Sequence, residues 1–168
     1  MEIRRAEERD LDEMMRIYDG ARKFMVRHGN ASQWKEGYPS REMILRDIAQ
    51  GISYVCAEDG EIMGVFAFSV GEDPTYREIW DGNWYMDRPY GVIHRLASSG
   101  KRRGVADACM EYCKQRMDYL RIDTHRDNFP MQNAIEKHGF QRCGIIRVAD
   151  GSERIAYDCY TKKTDGLN

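Results

Sequence analysis

The sequence predicts an α/β fold with a mixed, mostly antiparallel sheet of six to seven strands, flanked by about four helices. Three observations lead to this prediction. Asp59-Gly60 and Asp150-Gly151 each separate two strand-like runs, and Asp-Gly turns favour antiparallel hairpins. Amphipathic segments alternate with short apolar runs in the middle of the chain, an order typical of strands linked by helices. No linker or internal repeat divides the 168 residues, so a single domain spanning 1–168 is expected.

Local patterns give the elements in chain order. Asp10 with Glu13 matches a capping-box pair and predicts the start of the first helix. In the N-terminal half we expect a strand over 3–5, a helix from about 10, a loop over roughly 24–38, a helix from near 40, strands over 53–57 and 62–70, and a long loop or irregular strand over 71–90. In the C-terminal half we expect a strand over 91–97, a helix from 105, a strand over 119–124, a helix ending near 138, and strands over 140–148 and 153–160. The polar tail that follows Tyr160 is expected to be frayed.

The loop Gly100–Ala106, between the strand over 91–97 and the following helix, predicts a phosphate site. Free backbone N–H groups at a helix N-terminus attract an anion, and three adjacent cations lie in this loop. A Walker loop would need Ser or Thr after its lysine, where this chain has Arg102. A dinucleotide fingerprint would need three spaced glycines, and only Gly104 lies near the helix. A solvated basic turn is the alternative for the loop taken alone.

The loop resembles the pyrophosphate loop of the GNAT superfamily of N-acetyltransferases. That motif is Arg or Gln, two residues, Gly, one residue, then Gly or Ala, and Lys101, Gly104 and Ala106 take its three positions, with Lys as a departure. A second stretch resembles another GNAT motif, through Asp123-Thr124-His125, Asn128, Met131 and Glu136 to Phe140. Gln33-Trp34 with Gly37-Tyr38-Pro39 is similar to a loop of one bacterial branch. The resemblance covers roughly residues 2–160.

The resemblance implies the GNAT fold and acetyl-CoA as co-substrate, with no metal. The fourth and fifth strands of that fold are parallel and splay apart, and the pantetheine arm lies between them. Backbone N–H groups of 102–106 and the nearby cations would hold the pyrophosphate, and Asn128 would bond the pantetheine or cap a helix. The residues expected to bind the co-substrate are Leu96, Ala97, Ser98, Lys101, Arg102, Arg103, Gly104, Val105, Ala106, Asn128 and Met131.

Acetyl transfer to an amine needs a base, and three residues are candidates. His94 lies two residues before Leu96, hence on the same face of a regular strand, and Asp123 and His125 lie at the end of the fifth strand. Each has an ordinary alternative. His94 is equally expected as a hydrogen-bonded core residue, His125 as a loop cap, and Asp123 as the partner of a nearby arginine. Glu78 is a further candidate base that the family pattern does not place.

The protonation of the leaving thiolate is a point of departure from the family. Many GNAT enzymes carry a tyrosine four residues before the Gly of the Gly-Phe pair, and this chain has Ile135 there. Solvent or another group, such as Tyr157 or Tyr160, would then supply the proton. A non-catalytic acyl-CoA or CoA sensor of the same fold is therefore the alternative to an N-acetyltransferase.

Aromatic loop residues are the candidates for contact with the acceptor, because they can line an apolar or cation-binding wall. Arg88 and Arg95 are further candidates, for an acceptor carboxylate. The expected acceptor residues are Gln33, Trp34, Tyr38, Trp80 and Trp84. The expected acceptor itself is the primary amine of a small molecule or peptide.

Composition excludes several classes. A net charge of −2 and a pI near 6.1 argue against a general nucleic-acid binder. The chain has no run of 18 apolar residues and no signal-peptide core, so no membrane partner and a cytoplasmic location are expected. The five cysteines then represent free thiols. GNAT members are often dimers through their C-terminal strands, so the resemblance makes a homodimer a candidate state.

Overall fold

A computed structural model describes residues 1–161, which form one seven-stranded sheet with helices on both faces. The strands are β1 Glu2–Arg5, β2 Ser53–Glu58, β3 Glu61–Val70, β4 Gly91–Ser98, β5 Tyr119–Thr124, β6 Gln141–Arg147 and β7 Glu153–Tyr160. The helices are α1 Leu11–Arg27, α2 Arg41–Ala49, α3 Val105–Lys114 and α4 Phe129–Lys137. The expected frayed tail lies, from residue 162 onward, outside the described residues.

The strand order is β1-β2-β3-β4-β5-β7-β6, and every neighbouring pair is antiparallel except β4 and β5. The predicted mixed, mostly antiparallel sheet is thus confirmed. Asp59 and Gly60 both have positive φ, at 51° and 77°, which is the backbone of the tight turn that their sequence predicted. The second Asp-Gly pair likewise lies in the turn between β6 and β7.

Apolar residues on the two sheet faces form separate clusters. On one face, Phe66, Ile122 and Tyr157 pack with α3 and α4 through Cys109, Cys113 and Ile135. The opposite face near β2 and β3 is covered by α1 and α2. Further along that second face, the segment 71–90 covers β5–β7 in the place of a helix, with Tyr76 and Tyr90 against Tyr119 and Ala156.

Two details at α1 differ from expectation. The Asp10–Glu13 capping box is wrong: the Asp10 carboxylate accepts a hydrogen bond from the Glu7 backbone N–H at 2.8 Å and pairs with Arg4. A 3₁₀ turn at 8–10 therefore precedes the helix. Helix α1 also continues to Arg27, past the expected loop start at 24, and ends just before Gly29, which has a φ of 83°.

The centre of the sheet opens between β4 and β5. Their parallel pairing is limited to Gly91–Leu120 and Val92–Arg121, and β4 thereafter pairs only with β3. A register shift occurs on this strand, where Arg95 has a φ of 51°. This bulge corrects one expectation, since it breaks the regular alternation. Leu96 packs with the α3–α4 face, whereas His94 contacts the 71–90 segment on the other face.

Candidate active site

The loop before α3 has the features of an anion site. Gly104 has a φ of 95° and is the N-cap of α3, and it offers no side chain to the helix terminus. Within residues 1–161, none of the N–H groups of 102–106 donates to a protein acceptor. These donors and the positive end of the helix dipole point the same way, so the loop fits a diphosphate.

The three cations of the loop are exposed and differ in their partners. The Lys101 ammonium pairs with Glu61, and the Arg102 guanidinium pairs with Glu58, both from the β2–β3 hairpin. Arg103 makes no ion pair within the described part of the chain. Exposed pairs of this kind contribute little stability and exchange readily, so all three cations can turn to a bound anion.

A cavity of about 420 Å³ lies where β4 and β5 diverge. Its floor is made by the two splayed strands, and its other walls come from the 28–40 loop, α1, α2 and the β6–β7 turn. Residues that line the cavity include Met25, Gln33, Trp34, Lys35, Tyr38, Met43, Asp73, His94, Arg95, Leu96, Asp123, Asn128, Met131, Asp150 and Arg154. An apolar cavity with a few polar groups is the usual form of a small-molecule site.

Asp73 and His94 form a pair in the wall of this cavity. His94 Nε2 lies 2.8 Å from Asp73 Oδ2, and Asp73 Oδ1 accepts from the Thr75 N–H and hydroxyl. Burial would raise the pKa of Asp73, but the hydrogen bonds from His94 and Thr75 outweigh it and lower the pKa to about 2. The ionised carboxylate favours the proton on Nε2 of His94, which leaves Nδ1 able to accept one.

Asp123 lies across the opening from His94 and is held by a tyrosine. The fully buried Tyr76 hydroxyl donates to Asp123 Oδ2 at 2.7 Å, and burial, followed by the Asp123 charge, raises the pKa of Tyr76. The Tyr76 ring also lies against His94, with ring centroids 6.1 Å apart. The 71–90 segment thus contacts a candidate catalytic group on each of the two splayed strands.

The other predicted residues of the second motif have structural roles. Asn128 is the N-cap of α4, since its Oδ1 accepts from the Met131 N–H, and its Nδ2 donates to Gln33. His125 is buried outside the cavity wall, and its Nδ1 accepts from the Asp127 N–H at 3.0 Å. Burial, together with the charge of Arg154, lowers the pKa of His125.

The acceptor candidates divide into two groups. Gln33, Trp34 and Tyr38 line the cavity together. Trp80 and Trp84 lie elsewhere: Trp80 forms a backbone bridge to Ile145 of the edge strand, and Trp84 stacks in the cluster under the 71–90 segment. The segment folds back over the sheet edge, a tertiary arrangement that aromatic composition alone does not specify.

The two arginines expected at an acceptor carboxylate are engaged otherwise. The Arg95 guanidinium pairs with Asp47 of α2, and Arg88 lies over the Tyr160 ring at 4.9 Å. Sequence reasoning missed two cavity residues instead, Asp73 and Arg154. Asp before Pro-Thr signals the short helical turn that Asp73 caps, but no local pattern connects either residue with the cavity.

Ile135 is fully buried in the core, so its position carries no hydroxyl near the cleft. Tyr157 is buried in the same cluster, and burial raises its pKa. Among residues 1–161, no group of three or more His, Cys, Asp or Glu side chains is arranged to hold a metal ion. No helix in that range has the length and apolar character of a membrane span.

A seven-stranded sheet split between its parallel strands, with an anion loop at the following helix, defines the acyl-CoA acyltransferase class. The chain matches the family model "Acetyltransferase (GNAT) family" over residues 12–140. This chain belongs to the GNAT acetyltransferase family, which generally uses acetyl-CoA as co-substrate. No curated protein matches the sequence.

Solved structures agree with this assignment. A GNAT-family acetyltransferase from Streptococcus agalactiae 2603 is 33% identical, with a TM-score of 0.89 over 96% of each chain. A protein from Staphylococcus aureus Mu50 is 25% identical, with a TM-score of 0.70 over 96% of this chain and all of its own. The ribosomal-protein-alanine N-acetyltransferase of Brucella melitensis shares the fold, with 15% identity and a TM-score of 0.63 over 95% of this chain and 99% of its own.

Proposed function

We propose that the chain is an acetyl-CoA-dependent N-acetyltransferase that moves the acetyl group directly to the primary amine of a small molecule or peptide. The observation that carries this proposal is the opening between β4 and β5, with an Asp–His pair in its wall and unpaired helix N–H groups nearby. A CoA sensor would need the loop and the opening, but it would have no use for an Asp–His pair in the wall of the acceptor cavity.

The donor is assigned to the loop and to the free edge of β4. Backbone N–H groups of 102–106, with Lys101, Arg102 and Arg103, would hold the phosphates. Beyond Val92, β4 has no strand partner on its β5 side, so backbone groups near Leu96, Ala97 and Ser98 are available to the pantetheine amides. Acetyl-CoA supplies the thioester whose carbonyl carbon the amine attacks.

His94 is the proposed base. Nδ1 of the ring takes one proton from the acceptor's ammonium group, directly or through water, while Asp73 holds Nε2–H and stabilises the imidazolium that forms. The resulting neutral amine attacks the thioester carbonyl carbon, the C–N bond forms, the C–S bond breaks, and the second proton of the nitrogen leaves to solvent. Asp123, on the opposite strand, is assigned to bind the ammonium group before it is deprotonated. His125 is assigned to the support of the loop before α4.

Protonation of the CoA thiolate is assigned to solvent, because Ile135 has no ionisable group and Tyr157 is buried away from water. A thiol with a pKa of about 8.5 is a tolerable leaving group without a side-chain acid. The reaction can therefore proceed without the tyrosine that many members of the family carry at this position.

The test is calorimetric titration with acetyl-CoA and with CoA, followed by thiol release over a panel of primary amines. We expect micromolar binding and amine-dependent CoA release. Gly104→Glu, which puts a negative side chain on the anion loop, should weaken CoA binding at least about a hundredfold without unfolding the chain. Glu36→Gln, a charge change on an exposed loop residue, is the control. Binding without release for every amine would favour the sensor, and unchanged CoA affinity of Gly104→Glu would refute the loop assignment.

A further inference from the structure

Two charged side chains in the wall of the cavity, Asp123 and Arg154, have no partner that can carry the opposite charge in contact with them among the described residues. Five other ionisable side chains of the wall have such a partner, in the pairs Asp73–His94, Lys35–Asp150 and Arg95–Asp47. Asp123 accepts a hydrogen bond from the neutral Tyr76 hydroxyl, and Arg154 donates only to neutral oxygens. Within residues 1–161, neither has an opposite charge within 4.0 Å. The cavity therefore holds one carboxylate and one guanidinium that need partners.

Arg154 is the more unusual of the two, because it is only 7% exposed and still lines the cavity. Its Nη1 donates to the Ser152 hydroxyl at 3.0 Å and to the Glu153 carbonyl at 2.9 Å, and its Nη2 donates to the Gln33 carbonyl at 2.8 Å. A buried cation without a counter-ion is costly, and an anion that binds beside it recovers part of this cost. Guanidinium matches the two oxygens of a carboxylate in geometry.

Strand register brings the two charges close together. Asp123 of β5 is paired with Ala156 of β7, and Arg154 lies two residues before Ala156, on the same face of the strand. Diagonal neighbours of this kind have backbones about 7–8 Å apart. Two side chains at this spacing can hold the ammonium and the carboxylate of one small molecule. One part of the wall, formed by Met25, Trp34 and Met43, is apolar.

The geometry points to an acceptor that is a small amine carrying a carboxylate and an apolar substituent, as in an apolar amino acid. Asp123 binds the ammonium group, Arg154 binds the carboxylate, and the apolar wall receives the substituent. Only the amine is acetylated, and the carboxylate leaves unchanged on the product. This inference rests on the proposed N-acetyltransferase activity and adds the chemical class of its acceptor.

The experiment compares matched acceptors that differ only at the carboxylate. Thiol release from acetyl-CoA is measured with L-leucine, L-methionine and L-phenylalanine, and with their carboxamides. For the unaltered chain, kcat/KM should be at least about 30-fold higher for an acid of this panel than for its amide. Arg154→Gln should lower kcat/KM for the acid about 30-fold or more and leave the amide within about threefold. Arg16→Gln, the same substitution at an exposed arginine of α1 that is paired with Glu13 and lies outside the cavity wall, should preserve the preference.

Three outcomes would overturn the inference while leaving N-acetyltransferase activity intact: equal rates for acids and amides, acetylation of other amines without acetylation of these acids, or an equal loss for both in Arg154→Gln. An equal loss for acids and amides would mean that Arg154 only connects the loop that contains Gln33 to β7 through its hydrogen bond to the Gln33 carbonyl. Acetyl-CoA affinity of the variant, measured by calorimetry, shows whether it is folded. If it is not, the acid-to-amide ratio of the unaltered chain decides alone. No release with any amine would instead refute the proposed function itself.

Discussion

Replacement of Asp73 by Asn removes the carboxylate that holds His94 and leaves a side chain of the same shape. The carboxyl pKa is lowered from 3.8 to about 2 in the folded chain. A carboxyl group whose pKa is lowered on folding stabilises the folded state at pH values above its unfolded-state pKa. This stabilisation is lost as the pH falls through the folded-state pKa. The difference corresponds to about 2.5 kcal/mol at pH 5, falling to roughly half of that at pH 3.

Urea unfolding at pH 5 and pH 3 measures this contribution. The free energy of unfolding of the unaltered chain should fall by about 1 kcal/mol more than that of Asp73→Asn between these pH values. Glu72→Gln, which removes an exposed neighbouring carboxylate 3.8 Å from Arg77, should behave like the unaltered chain. Parallel pH dependence of Asp73→Asn and the unaltered chain would refute the reasoning, because the carboxylate would then not be stabilised by its partners. In the transfer assay, Asp73→Asn should lower kcat at least about tenfold with KM little changed.

Three further substitutions test the packing around the cleft. Gly64→Ala would place a Cβ 2.3 Å from Val105 Cγ1, so we expect about 1–3 kcal/mol lower stability and weaker CoA binding as the start of α3 shifts; thermal unfolding as stable as the unaltered chain would contradict this. Gly20→Ala in α1, where a Cβ meets nothing within 4 Å, is its matched control and should be up to about 1 kcal/mol more stable. Ile135→Val should cost about 1 kcal/mol in urea unfolding and leave kcat within about threefold, and a tenfold lower kcat would mean that this position takes part in the chemistry.

The elements with clear local signals could be predicted from the sequence. The bounds of β5 and β7 match expectation, Ser40 caps α2, and the Asp59-Gly60 turn has the expected positive φ values. These features depend on neighbours in the chain. The bulge at Arg95 could not be predicted in this way, since a non-glycine residue with positive φ is held by its surroundings, here by the pairing with Asp47.

The candidate site was predictable where a motif is continuous. The anion loop and the Gln33–Trp34–Tyr38 wall come from short stretches of sequence. The structure puts the loop at the N-terminus of α3 and the three side chains in the cavity wall. The Asp73–His94 pair joins residues 21 positions apart through a segment without regular structure. Arg154 belongs to the second predicted hairpin, and no pattern in the sequence assigned this arginine a role in the site. No periodicity or residue spacing in the sequence indicates the Asp73–His94 pair or the place of Arg154 in the cavity wall, because both arise when distant segments of the chain fold together.

The 71–90 segment connects the two halves of the sheet across the gap between β4 and β5. On one side, Asp73 is hydrogen-bonded to His94 of β4. On the other, the Tyr85 N–H bonds Asp158 of β7 at 3.0 Å, and the Arg121 guanidinium of β5 donates to the Met86 carbonyl. Because only two residue pairs join β4 and β5 directly, we expect the length and the contacts of this segment to influence the width of the gap. Substitutions at the contacts of this segment with β5 and β7, which lie outside the cavity wall, are therefore expected to change how well acetyl-CoA fits between β4 and β5.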